Sequence, residues 1–195
     1  LQLNPLHELG FLLRISHSHG IMRRYFVVNG FDGALTMLGL ILGFIVTDPV
    51  PLPVVIGACL GATIALGVSG VSSAYLSETA ERQRALSDLE EAMAKSLQGS
   101  AHAQAARWVP LLIALVNGSA PLLISLLIIS PLWLADAGIP LPLSALHMAM
   151  IVALLIIFLL GVFLGHVSGN AWWRSGVQTL LVALVTVVLI LLLGA

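Results

Sequence analysis

The sequence predicts an all-α integral membrane protein with five transmembrane helices, and three observations carry that prediction. Hydrophobic residues make up 59% of the 195-residue chain and charged residues only 9%, too apolar for a soluble core wrapped in a polar surface. Five apolar stretches of membrane-crossing length follow one another, separated by short turns or by one longer polar segment. Threaded alternately through a bilayer, those stretches leave all eight Lys and Arg residues on one side. The net charge of −1 says little about partners, because the placement of the basic residues holds the information. The lipid bilayer is the expected partner, and nucleic acid is not.

The chain opens with an expected amphipathic helix over residues 1–22. Asn4-Pro5 reads as an N-cap followed by proline at the first helical position, and Leu6, Leu9, Leu12 and Leu13 set Arg14 on another side. Such a helix lies along the membrane surface. No short apolar core is followed by a small-residue cleavage site, so no secretory signal is expected and the start reads as mature. His17 and His19 in SHSHG form a weak candidate for metal capture, although alternate histidines in a polar linker are also what a solvated segment carries.

The first span, 25–46, is uncharged except for Asp32. An unpaired carboxylate at membrane depth costs roughly 2.5 to 3.5 kcal/mol on insertion scales, so Asp32 needs a partner or a purpose. Helical spacing puts Asn29, Asp32, Gly33, Thr36, Gly39 and Gly43 on one stripe with Met37 beside it, expected to meet protein. Val27, Phe31, Leu35, Leu38 and Leu42 form the other stripe, expected to meet lipid.

A proline-broken turn without Lys or Arg, 47–53, leads into the second span, 54–75. Here Gly57, Gly61, Ala65, Ser69, Ser73 and Ser77 recur every four residues and make a small ridge for close helix approach. Cys59 in this span is the sole cysteine, which rules out an intrachain disulfide and a thiolate metal cluster. Residues 77–107 read as a short cytoplasmic helix, patterned to about Leu97, and a linker broken at Gly99-Ser100. Glu78 and Glu81 are candidates for cytoplasmic metal capture, while Glu78 with Arg82, Arg84 with Asp88 and Glu91 with Lys95 are ordinary i,i+4 pairs of a solvated face.

In the third span, 108–134, Pro121 has no N–H for the carbonyl of Asn117, so the helix is expected to bend or unwind at VNGSAP with Asn117 facing inward. The fourth span, 143–167, carries His147 and His166 near its ends, where interfacial histidines are common. SGNAWWRSG then supplies Arg174 and two interfacial tryptophans before the fifth span, 173–194. The one-sided cations make the N-terminus cytoplasmic and the C-terminus external.

Counted from the cytoplasmic boundary, Asp32, Ser69, Asn117 and Gln178 all lie roughly 9 to 14 Å deep. Four polar residues from four helices at one level are what a buried hydrogen-bonded cluster or an ion site needs. One carboxylate per chain is a poor site for a divalent cation, and a two-fold dimer through the glycine faces supplies two. Gly39, Gly43, Gly57 and Gly61 are therefore the expected close contacts of a homodimer.

NGFDGALTMLGLILG in the first span, SSAYLSETAE closing the second, NGSAP in the third and WWRSG opening the fifth resemble the vacuolar iron transporter family, from Arg23 onward. Members of that family are five-span dimers that export ferrous iron or manganese from the cytoplasm, usually against protons, between the two first spans. The resemblance implies that Asp32 is the family's first-span acid and that Tyr75 and Glu78 match the tyrosine and acid that close the second span, while Met37 sits where a soft ligand could help. Asn29 and Asn117 would complete the shell around the transported Fe2+ or Mn2+, with no permanently bound cofactor. Well-studied members carry a Glu and a Met where this chain has only small residues between Ala62 and Gly70, and a longer Glu-rich cytoplasmic region; this chain is similar to a short prokaryotic branch. An intramembrane serine protease is the enzyme alternative, since Gly67-Val68-Ser69-Gly70 resembles the rhomboid nucleophile motif, but a paired histidine is not apparent and no enzyme is expected. A membrane scaffold without transport is the third reading.

Overall fold

The structure is a computed structural model that describes residues 18–47, 49–169 and 171–193. Among them every regular element is helical: α1 (Ser18–Val46), α2 (Leu52–Met93), α3 (Ala101–Asp136), α4 (Ala145–Val167) and α5 (Trp172–Leu193). All five are long and apolar enough to cross a membrane. Most of the expected amphipathic segment, including His17, lies outside the described residues; residues 18–22 form the first turns of α1.

Two boundaries differ from expectation. No separate cytoplasmic helix follows the second span, because α2 runs unbroken for 42 residues. No Gly or Pro falls between Gly70 and Gly99, and SETAERQRALSDLEEAM is rich in good helix formers, so nothing interrupts the hydrogen-bond ladder. At 1.5 Å per residue α2 is roughly 63 Å long, about twice a bilayer core. It ends where Ala94 turns left-handed at φ 48°, with Lys95 N–H donating to Glu90 O at 3.2 Å and Ala94 N–H to Glu91 O at 3.1 Å. The Glu90 carboxylate fastens this turn by accepting from Leu97 N–H at 2.7 Å. The expected linker before the third span is likewise helical from Ala101, its first turn capped by Ser100 Oγ, which accepts from Ala103 N–H at 3.3 Å.

A further difference lies inside α3, which stays α-helical through VNGSAP instead of unwinding. Pro121 removes a single ladder bond, and the rest of the helix holds the backbone in place.

The described chain forms two compact units. The first combines residues up to Phe26 with Val68–Ser119. Its apolar centre is the start of α3, where Ala105, Val109 and Ile113 are buried against Ile21, Met22 and Tyr25 of α1. The second combines Val27–Gly67 with the chain from Ala120 onward, so all five helices contribute to it. Met37, Leu38 and Ile41 of α1, Cys59 of α2, Ile128 and Leu132 of α3 and Ile157 of α4 are sealed in its core.

Close helix approach in this second unit falls on glycines. A Cβ on Gly33 would stand 2.9 Å from Pro121 Cα, and one on Gly67 would stand 2.6 Å from Leu122 Cγ. At the α4–α5 hairpin a Cβ on Gly161 would collide with Thr179, whose hydroxyl reaches across to donate to Ile157 O at 3.1 Å.

Candidate functional site

The two faces expected for α1 are exchanged within the chain. Val27, Leu38 and Leu42, assigned to lipid, are buried, and Phe31 and Leu35 pack partly against the core. The polar stripe is the open one: Asp32 is exposed, and Asn29, Thr36, Gly39 and Gly43 are half-buried. Gly33 and Met37 depart from it into the core. Apolar periodicity cannot choose between these faces in a bilayer, because lipid tails receive Leu and Val as readily as a protein core does.

Asp32 therefore stands on the surface of an apolar helix. Thr36 Oγ1 donates to its backbone carbonyl at 2.6 Å, and among the described residues its carboxylate has no hydrogen-bond partner. Met37, five residues on, is fully buried, and its sulfur accepts from Thr63 Oγ1 at 3.9 Å while the same hydroxyl donates to Cys59 O at 2.7 Å. Asp32 and Met37 do not share a face. Met37 would have to turn out of the core to reach an ion held by Asp32.

Asn117 lies inside the first unit, as expected, and its Nδ2 donates to Gly70 O at 2.7 Å. The Asn117 carbonyl that Pro121 frees lies against the same glycine, where an added Cβ would stand 3.3 Å away. Gly70 is thus the residue that lets α2 come close enough to α3 for both contacts. Its neighbour Ser69 is exposed, and so is Gln178, which lines a cavity of about 240 Å³ with Arg174 and Ser175. Among the described residues the side chains of Asp32, Ser69 and Gln178 make no hydrogen bond, so three of the four same-depth groups point outward without a partner.

The small ridge of α2 is open along its length. Gly57, Gly61, Ala65, Ser69, Ser73 and Ser77 are all exposed, and a Cβ on Gly57, Gly61 or Gly43 would meet nothing within 4 Å. Gly39 would meet only Ile190, at 3.5 Å. The four glycines expected at a dimer contact are those the chain leaves with little or nothing against them, and the ones it uses for close approach internally are Gly33, Gly67, Gly70, Gly161, Gly165 and Gly176. A four-residue repeat marks close approach without saying which helix approaches.

Glu78 differs from the solvated residue expected. It is buried, Tyr25 Oη donates to its Oε1 at 3.3 Å, and Arg82 Nε lies 3.7 Å from its Oε2. Tyr25 is 53 positions away, a partner that no local spacing reveals. Arg84 with Asp88 and Glu91 with Lys95 do not close as ion pairs among the described residues. Glu81 is exposed and shares a cavity of about 210 Å³ with Glu78 and Arg82, so a cation entering there meets a guanidinium already paired with the buried acid. His19 belongs to the first turn of α1. Among the described residues no three His, Cys, Asp or Glu side chains come together as a metal-binding group.

These features define a class: an all-helical protein with five membrane-length helices, a mid-helix carboxylate on its surface and an open ridge of small residues. The chain is 30% identical over 169 residues to the uncharacterized protein MJ0645 of Methanocaldococcus jannaschii, a match that covers 85% of each chain. It belongs to the family of that protein. No family model matches the chain. No solved structure matches it.

Proposed function

We propose that the chain is a divalent transition-metal transporter that exports Fe2+ or Mn2+ from the cytoplasm of a prokaryotic cell, coupled to protons, and that it works as a homodimer. The observation that carries this reading is the exposed, unpartnered carboxylate of Asp32 on a helix of membrane length. In lipid that group costs several kcal/mol, and a second copy meeting it across a two-fold axis converts the cost into a paired-carboxylate site for a divalent ion. Asn29, one turn earlier on the same stripe, adds an amide oxygen; Met37 and Asn117 are held inside the fold in this conformation.

The exposed glycines Gly57 and Gly61 and the half-buried Gly39 and Gly43 supply the surfaces through which two chains approach. The basic residues support a cytoplasmic N-terminus and an external C-terminus, with the charged half of α2 in the cytoplasm and the N-terminal segment along the membrane surface. Alternation of Asp32 between a protonated and a metal-bound state links proton to cation movement through one group.

Purified protein in liposomes, assayed across a panel of divalent metals against a pH gradient, tests the proposal. Metal-dependent flux is expected from the parent and none from Asp32→Asn. A parent without flux for any metal leaves the scaffold reading in its place, and an Asn variant that transports like the parent moves the site elsewhere.

A further inference from the structure

We propose that the cleft between the charged half of α2 and the start of α3 binds the phosphate of an anionic phospholipid headgroup, with an acyl chain lying on the apolar face below it. The inference rests on the reading that these helices cross a bilayer, and it is independent of metal transport.

The cleft is a cavity of about 250 Å³ within the first unit. Tyr75, Thr79 and Gln83, at successive fourth positions on one face of α2, form one wall, and Arg107 of α3 faces them. Leu86, Ala103 and Ala106 complete its apolar part, and no carboxylate lines it. Every polar side chain in the cleft is a hydrogen-bond donor, and among the described residues none of the four makes a hydrogen bond or an ion pair. The Arg107 guanidinium lies over the Trp108 ring, 5.7 Å from its centroid, a contact that engages none of its N–H groups. The Thr79 hydroxyl is buried and has no partner, the condition that a ligand oxygen relieves.

Charge and position choose among anions. Tyr75 closes the uncharged stretch of α2 and Trp108 opens that of α3, so the cleft sits at the level where headgroups lie. Toward the membrane from Arg107, Leu111 and Leu115 follow at one-turn intervals and are 37% and 53% exposed, and Val68 on α2 is 61% exposed. A free phosphate has no use for that apolar track, whereas an acyl chain does. A zwitterionic headgroup would bring its ammonium beside Arg107 with no acid to receive it.

Native mass spectrometry of the full chain in detergent tests this, with titration by dioleoyl phosphatidylglycerol, dioleoyl phosphatidylcholine or inorganic phosphate. The parent is expected to retain one phosphatidylglycerol per chain in preference to phosphatidylcholine. Arg107→Gln is expected to weaken that binding at least about tenfold, the loss typical of a charge-assisted hydrogen bond. Arg84→Gln, which removes an exposed cation of α2 outside the cleft, is expected to leave it unchanged. Equal retention of the two lipids, or equal loss in Arg84→Gln and Arg107→Gln, overturns the proposal in favour of unspecific lipid or diffuse charge. Binding of inorganic phosphate as tight as that of phosphatidylglycerol overturns the lipid source. If Arg107→Gln lowers the melting temperature, the Thr79→Val, Gln83→Leu double variant decides by the same criteria.

Discussion

Asp32 and Met37 are five positions apart on one helix, yet one carboxylate faces outward and one thioether is sealed in the core. The sequence showed that Asp32 is out of place in lipid, because charge and depth can be counted along a helix. It did not show which way the side chain faces, because an outward polar stripe and an inward one have the same period. Asp32→Asn keeps the size of the side chain and removes only its ionisation, so dimer formation should persist while metal flux and its pH dependence disappear; gel filtration and liposome flux on one preparation check both. Asn117 answers to the fold. Asn117→Ala removes the bond to Gly70 O and should cost about 0.6 to 1.7 kcal/mol, the range for interhelical hydrogen bonds in membranes, read as a shift in the unfolding midpoint. At Glu78 the i,i+4 spacing identified the Arg82 pair, and nothing local pointed to Tyr25.

Helix α2 was legible as an apolar segment and as a charged segment, but their fusion was not. Hydropathy falls sharply near Tyr75, whereas helical propensity rises there, with no Gly in the helix after Gly70 and many Ala, Glu, Leu and Arg residues, and the backbone follows propensity. The turn that ends it stores a correctable cost: Ala94 sits at φ 48°, where glycine is at ease. Ala94→Gly should stabilise the protein by about 0.5 to 1 kcal/mol, seen as a raised melting temperature with unchanged helicity. The α4–α5 hairpin predicts the opposite sign. Gly161→Ala places a methyl group against Thr179 and 2.8 Å from Ser175 O, and should cost about 1 to 3 kcal/mol with loss of the Thr179 bond to Ile157.

Five membrane-length helices were legible from composition, since an apolar run of that length has few alternatives, whereas the ends at which they continue into polar sequence were not. What could not be read is which small-residue surfaces serve the fold and which remain free, because both obey one spacing rule. The contrast gives a test of assembly. Gly61→Leu adds bulk where the chain has nothing within 4 Å, so the protomer should fold normally while crosslinked dimer is lost. A Gly61→Leu variant that dimerises like the parent excludes the ridge. For topology, Asp136→Cys and Glu90→Cys, each in a Cys59→Ser background, should label from opposite faces of the membrane, and labelling from one face overturns the threading.

The unbroken course of α2 has a mechanical consequence. Beyond Tyr75 the helix extends about 27 Å without a hinge, a stiff rod anchored near its base by the Asn117–Gly70 bond and by Tyr25 on Glu78. A tilt of about 10° about Tyr75 carries the tip at Met93 through roughly 5 Å while Gly70, about 7.5 Å to the other side, moves by only about 1.3 Å, so a small adjustment beside Gly70 becomes a displacement the size of a side chain at the far end. A jointed connection would absorb such a movement; this one amplifies it.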